Sequence, residues 1–383
     1  MSVPLASLTF VRELIALDIP ASNHLVDIIN SIWENGDAFS PIDQRLPAKS
    51  KKALINLLKP SRLIDSTGET TKLDGAVPIE ADQRLAIATS GTTGTPKIVM
   101  YTMDQLIASA NATATRIGVT SSDKWLCCLP IAHIGGLSVI LRSLLHGNPV
   151  EVHNGFDASR VVEAARRGAT LTSLVPAALA LIDPYSFRKI VLGGSKPPRQ
   201  LPTNTMVTYG LTETGSGVVY DGVPLPGLKI MISSQSEILL KGPMIATCYR
   251  DGNAIQDDLG WLHTRDSGSF TSNKLEVFGR IDEIINSGGE KVYPAVVESF
   301  LESHPKVHQI AVIALSDSRW GEAVTAVVVP SPEFDPPTLA ELREFVKSEL
   351  PPYFAPTRLE IVKDMPTTNL GKIQKNVLKR ILS

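Results

Sequence analysis

Apolar residues in this chain come in short continuous bursts, and polar stretches with helical spacing lie between them. Residues 85–88, 124–129, 150–152, 171–175, 189–192 and 207–209 are such bursts, the pattern of strands buried on both faces. Residues 104–117 and 158–167 read as helices and 135–145 as an apolar helix, and Thr102 is placed to cap the first of them. Strands alternating with helices predict βαβ units and a mainly parallel sheet.

The pattern differs on either side. Upstream, 25–33 reads as an amphipathic helix ended by Gly36-Asp37, 38–41 as a short strand, and 50–58 as a helix stopped by Pro60. Past residue 220 the chain turns to short strands at 229–232, 237–240 and 260–262, which predicts a small β-rich subdomain. The last hundred residues read as a separate unit. They hold helices at 294–303, 339–350 and 374–382 and strands at 307–315, 323–329 and 358–362, with a proline-rich loop at 330–337. The expected class is α/β. A large N-terminal lobe (1–280) of mainly parallel αβ layers carries the β-rich subdomain, and a small α+β C-terminal domain (281–383) follows. The boundary falls at a Gly-Arg turn.

Composition narrows the function. A chain of 383 residues is too long for one ordinary domain. With 43% hydrophobic and 20% charged residues it has a globular composition. A formal net charge of −2 gives no global basic field for nucleic acid or an anionic membrane, so any phosphate site must be local. The cysteines, Cys127, Cys128 and Cys248, form no CxxC or Cys/His cluster, which argues against a disulfide framework or structural zinc. Arg12, Glu13 and Asp18 interrupt the first apolar stretch, against a signal peptide. The stretch 134–145 is short and broken by Arg142, so no membrane insertion is expected and a cytoplasmic location is the default.

The chemistry is concentrated first in Thr89-Ser90-Gly91-Thr92-Thr93-Gly94-Thr95-Pro96-Lys97. The glycines let backbone approach an anion, the hydroxyls donate to phosphate oxygens, and Lys97 adds positive charge. Pro96 stands where a Walker A loop needs glycine, so this is a different phosphate loop. By composition alone the run also suits an exposed linker; the buried strand before it favours the loop.

Ser-Gly-Thr-Thr-Gly-x-Pro-Lys resembles the phosphate loop of the adenylate-forming superfamily, which comprises acyl-CoA synthetases, luciferases and peptide-synthetase adenylation domains. Further motifs follow in that family's order. Tyr209-Gly210-Leu211-Thr212-Glu213 resembles Tyr-Gly-x-Thr-Glu. The resemblance implies a purine stacked on Tyr209, a phosphate at Thr212 and Mg²⁺ on Glu213, a hard cation on an oxygen ligand. Residues 260–266 resemble Gly-Trp-x-x-Thr-Gly-Asp, with Asp266 for the ribose hydroxyls and Arg265 in place of the glycine. Residues 279–294 imply a ribose-binding Arg280, a hinge at Asp282, and a Gly288-Gly289 loop that approaches the thiol acceptor. Residues 366–373 resemble the C-terminal motif that carries the catalytic lysine, Lys372. Upstream, only 35–37 and 41–46 are family-like, and the first subdomain is read as compressed.

Residues 129–138, with 140–144, 147–153, 192–194, 297–299, 303–305 and Trp320-Gly321, are most similar to o-succinylbenzoate–CoA ligases. On that resemblance His133 and Gly193-Gly194-Ser195 line the acyl pocket. The implied reaction joins a small carboxylic acid to ATP, aided by Mg²⁺ and Lys372, and then hands the acyl group to coenzyme A. The small domain is implied to be mobile about Asp282. Two other readings stay open here: an adenylating enzyme whose acceptor is an amine or a carrier protein, and a non-catalytic nucleotide-binding relative. The identity of the acid and the assembly state, a homodimer included, are also open.

Overall fold

The computed structural model describes residues 12–89, 96–195, 197–198, 200–367 and 373–383. By its contacts the chain divides into two compact units, Met1–Ile230 with Leu240–His263, and Met231–Leu239 with Thr264–Ser383.

The first unit holds two seven-stranded sheets; one has a parallel centre with antiparallel strands at both margins, the other is parallel except for antiparallel strands at one margin. In one, Leu14–Leu17 runs parallel to Ala38–Pro41 and Arg62–Ile64, and Gln83–Ala88 joins through Phe39 and Leu85. Ile98–Thr102 and Cys248–Tyr249 then add antiparallel. In the other, Val150–Val152, Trp125–Cys127, Leu171–Leu174, Lys189–Leu192 and Thr205–Tyr209 are all parallel. Their carboxyl ends therefore share one edge, the edge at which open α/β sheets bind ligands.

The helices form where the spacing predicts. Asn23–Glu34 buries Leu25, Val26, Ile29 and Ile32 on one face, and Ser22 accepts from the Leu25 amide as its cap. Each fully buried leucine or isoleucine contributes about 1.5–3 kcal/mol. Met103–Ile117 opens with a capping box between Thr102 and Gln105 and ends at Gly118 in the left-handed region. Val161 and Ala164 of the Ala158–Arg166 helix pack with Leu126, Leu174, Ile190 and Leu192 of the second sheet. Asp123 is a buried acid of this unit. It accepts from Arg188 (2.6 and 2.8 Å) and from the Thr170 hydroxyl (2.7 Å). Burial pushes its pKa up, but Arg188 and the threonine donors outweigh this and hold it at about 2. It knits the sheet together at the start of its strands, away from the carboxyl edge.

The second unit contains, from Thr264 onward, the strand Leu262–Thr271 in a hairpin with Lys274–Arg280, and a five-stranded sheet built on the long hairpin of Val307–Asp317 with Gly321–Pro330. Period-two alternation gives that sheet two apolar faces. Val312, Val324, Ala326 and Val328 pack against helices Pro294–Leu301 and Leu339–Lys347. Ala311, Ile313, Leu315 and Val327 pack with Leu378 of the final helix, Lys375–Leu382. No helix among the described residues is long and apolar enough to cross a membrane.

The strand expected over 260–262 starts only at Leu262. Before it, the Asp257 carboxylate accepts from the Leu259 and Trp261 amides (3.0 and 2.8 Å), which bends 257–261 into a turn.

Candidate active site

The antiparallel pairing of Gln83–Ala88 with Ile98–Thr102 brings the two ends of the Thr/Ser/Gly loop together. The Thr89 amide donates to the Lys97 carbonyl (2.8 Å), and the Lys97 amide donates to the Thr89 hydroxyl (3.2 Å). Ser90, Gly91, Thr92, Thr93, Gly94 and Thr95 lie outside the described residues. The Lys97 side chain is exposed, with its ammonium 4.7 Å from the centre of the Tyr249 ring. Tyr249 pairs with Val99, and its hydroxyl donates to Glu213 Oε1 at 3.0 Å. Lys97, Tyr249 and Glu213 are thus contiguous.

Glu213 comes from the second sheet. Thr205–Tyr209 ends at Gly210, and a single 3-10 turn, Thr212–Thr214, follows. A Cβ at Gly210 would collide with the Ser216 carbonyl oxygen, so only glycine lets the chain fold back this tightly. The turn is fixed from several sides. The Tyr101 hydroxyl donates to the Thr212 carbonyl, and the Ala246 amide donates to the Glu213 carbonyl (2.9 Å). The Thr214 hydroxyl donates to the Ser216 carbonyl (2.7 Å). Burial, reinforced by the Glu213 charge, raises the Tyr101 phenol well above its usual pKa and keeps it a donor.

Among the described residues no group of three or more His, Cys, Asp or Glu side chains could hold a metal ion. One half-buried carboxylate on a rigid turn is what Mg²⁺ takes from a protein when nucleotide phosphates and water fill its other positions, so Glu213 fits that ion.

Other candidates sit at the same carboxyl edge. Gly193, Gly194 and Ser195 follow Lys189–Leu192, and the Gly193 amide donates to the Leu174 carbonyl (3.1 Å). His133 lies at the start of the Ile134–His146 helix, with Nε2 3.0 Å from Arg45 Nη2. Arginine only donates, so Nε2 accepts and the proton is on Nδ1. Burial and the Arg45 guanidinium lower the His133 pKa against the opposing pull of Asp43, so the ring is neutral at pH 7. Arg45 is itself paired with Asp43 at 2.7 Å.

The remaining candidates belong to the second unit. Register pairs Asp266 with Arg280, and Arg280 Nη1 lies 3.3 Å from Asp266 Oδ1, while Nε lies 3.3 Å from Asp282 Oδ1. Asp266 is buried and Asp282 exposed. Arg265, which stands where the resemblance places glycine, has φ of +58°. The backbone there keeps the left-handed geometry, and the arginine bears the modest strain of it. Gly288 and Gly289 form the tip between Ile285–Ser287 and Glu290–Val292, both at positive φ. A Cβ on Gly288 would lie 2.8 Å from the Trp320 indole. Lys372 lies outside the described residues. Its flanks are paired: Thr367 bridges Ile373, and the Gln374 amide donates to the Pro366 carbonyl (2.8 Å).

The motifs pointed to neither Tyr101 nor Tyr249. Both act across sheet pairings between segments distant in sequence, which no local pattern announces. Arg45 lay within a family-like stretch, but its contact with His133 could not be read from spacing.

Residues 39–249 match the AMP-binding enzyme family, and residues 296–372 match the AMP-binding enzyme C-terminal domain, a match that ends on Lys372. The chain is 38% identical over 330 residues to a probable 2-succinylbenzoate–CoA ligase of Mycobacterium tuberculosis, covering 79% of this chain and 85% of that protein. It is 31% identical over 385 residues to the 2-succinylbenzoate–CoA ligase of Bacillus subtilis, covering 90% and 78%. The solved o-succinylbenzoate CoA synthetase of Bacillus subtilis in complex with the acyl-adenylate intermediate superposes with a TM-score of 0.84 at 26% identity, over 98% of this chain and 90% of that one. The same enzyme with ATP and magnesium ion gives 0.82 at 27% identity, over 98% and 91%.

Proposed function

The chain belongs to the AMP-binding enzyme family, and on that premise we propose that it is an ATP-dependent, AMP-forming acid–CoA ligase acting on o-succinylbenzoate. The observation that carries the reaction type is the contiguous Lys97, Tyr249 and Glu213 cluster beside the Thr/Ser/Gly loop. It joins a cation for leaving phosphates to a rigid carboxylate for their magnesium. The choice of acid is supported by the names of the relatives.

In the first half-reaction a carboxylate oxygen of the acid bonds to the α-phosphorus of ATP, and pyrophosphate leaves. The two reactants are both anions, so their encounter needs positive charge at the point of bonding. Lys372 is assigned that role, and Thr89 to Thr95 with Lys97 are assigned the departing phosphates. Glu213 holds Mg²⁺, which screens the phosphate charge. Thr212 is assigned the α-phosphate, Tyr209 and Gly210 the purine, and Asp266 and Arg280 the ribose. In the second half-reaction the CoA thiolate attacks the acyl carbonyl and AMP leaves, with Gly288-Gly289 beside the thiol and Asp282 as the hinge between the two steps. His133 and Gly193-Gly194-Ser195 are assigned the acyl pocket. Neutral His133 adds no charge to that wall. The use of ATP and CoA argues for a cytoplasmic location.

Acid-dependent exchange of pyrophosphate into ATP across a panel of aryl and alkyl carboxylates tests the proposal. o-Succinylbenzoate is expected to give the highest kcat/KM. A panel led by a different acid would reject the substrate, and exchange with none would reject adenylation.

A further inference from the structure

Lys375 opens the final helix, three residues after Lys372. A lysine at such a position normally reaches into solvent. This one does not. Its side chain is 18% exposed, and its ammonium lies 2.8 Å from Glu283 Oε2 and 2.9 Å from Glu298 Oε1. Glu298, on the Pro294–Leu301 helix, is 14% exposed and also accepts from the Val312 amide at 2.6 Å. Glu283 closes the Ile281–Glu283 turn and is the neighbour of Asp282 in sequence. Burial works against the charge on Lys375, but the Glu298 and Glu283 carboxylates keep it protonated.

We propose that Lys375 is a positioning residue for Lys372, tying the segment that carries the catalytic lysine to the hinge turn at Asp282 and to the rigid sheet of the same unit. The inference rests on the adenylation role assigned to Lys372. Three residues of chain span at most about 10 Å, so fixing Lys375 confines Lys372 to a small volume. The pairing of Thr367 with Ile373 and the Gln374–Pro366 hydrogen bond close the other side. Leu378, with Leu382 and Ile373 packed beside it, anchors the helix on the apolar face shared with Ala311 and Ile313. Such contacts are non-directional and choose the buried face without fixing where a particular side chain sits. Two carboxylates on separate elements fix both its rotation and its axial position. Half-buried ion pairs of this kind add little stability and serve better to specify geometry. Glu283 carries the constraint to the hinge side, so the start of the final helix is tied to the turn that holds Asp282.

The test compares full-length Lys375→Met, Lys375→Arg, Glu283→Gln and Lys372→Ala. Adenylation is followed by pyrophosphate exchange, and thioester formation starts from supplied acyl-adenylate. Lys375→Met is expected to lower adenylation kcat by about 30–100-fold, the scale of a misplaced catalytic group, with the KM for ATP within about threefold. Its thioester step should stay within about threefold of the parent, and Lys375→Arg should recover most of the lost adenylation. Equal loss in both half-reactions would mean a merely structural lysine and would overturn the proposal, as would unchanged adenylation. If Lys375→Met does not fold, Glu283→Gln keeps Lys375 paired with Glu298 and should show a smaller loss confined to adenylation; no such loss overturns the proposal. Lys372→Ala separates the two ideas. If it keeps adenylation, the role of Lys372 fails. If it loses adenylation while the Lys375 and Glu283 variants do not, only the positioning role fails.

Discussion

Replacing Lys372 by alanine is expected to slow acyl-adenylate formation by about a thousandfold, while thioester formation from supplied adenylate stays within a few-fold of the parent. The asymmetry follows from charge. In adenylation a carboxylate approaches a triphosphate, and negative charge accumulates on the α-phosphoryl oxygens as the new bond forms. A fixed ammonium there stabilises the transition state more than the separated reactants, which is the condition for raising kcat. In thioester formation the acyl carbon is already activated and AMP is a good leaving group, so the same ammonium has little to stabilise. Rapid-quench measurement of the two half-reactions checks this. Equal losses in both would remove Lys372 from its assigned role.

The second large effect is the reverse. Asp282→Pro is expected to cut the thioester half-reaction by about a hundredfold and to leave adenylation within a few-fold, because proline fixes φ near −65° at the position assigned to the hinge. Asp282 sits in the short 3-10 turn Ile281–Glu283, where proline is sterically tolerated, so the folded starting state should survive. The substitution also removes the contact with Arg280 Nε. Asp282→Ala removes the same contact without restricting φ, and it should leave both half-reactions close to the parent. If the alanine variant loses the thioester step as the proline variant does, the contact and not backbone freedom is what matters.

How far the sequence reveals this molecule depends on the range of the forces involved. The parallel strands of the second sheet were legible because burial on both faces leaves an uninterrupted apolar run, as in Lys189–Leu192. The Met103–Ile117 helix was legible with Thr102 as its cap, and the structure adds the reciprocal bond from Gln105. Leu14–Leu17 was not, since four residues carry no period and charged residues lie close on either side. Arg265 stood out as a departure, but only the backbone shows that the left-handed turn persists there.

The site divides in the same way. Glu213, Asp266 and Arg280 could be named as candidates because each lies inside a motif. Their neighbours could not, because Tyr249 meets Glu213 through a pairing of Cys248–Tyr249 with Ile98–Thr102 that joins distant segments. Nothing in the sequence sets Lys375 apart, and only its two carboxylates from separate elements mark it as paired. Motifs record what touches substrate. What holds those residues in place is set by packing, and packing leaves a weaker trace in a single sequence.

The central claim is tested most directly by the products. The enzyme is incubated with ATP, Mg²⁺, CoA and o-succinylbenzoate, and the nucleotides and thioester are quantified together by mass spectrometry. The predicted result is one AMP and one pyrophosphate for each o-succinylbenzoyl-CoA formed, with none of the three when the acid is omitted. Formation of ADP, or release of AMP with no CoA thioester, would contradict it.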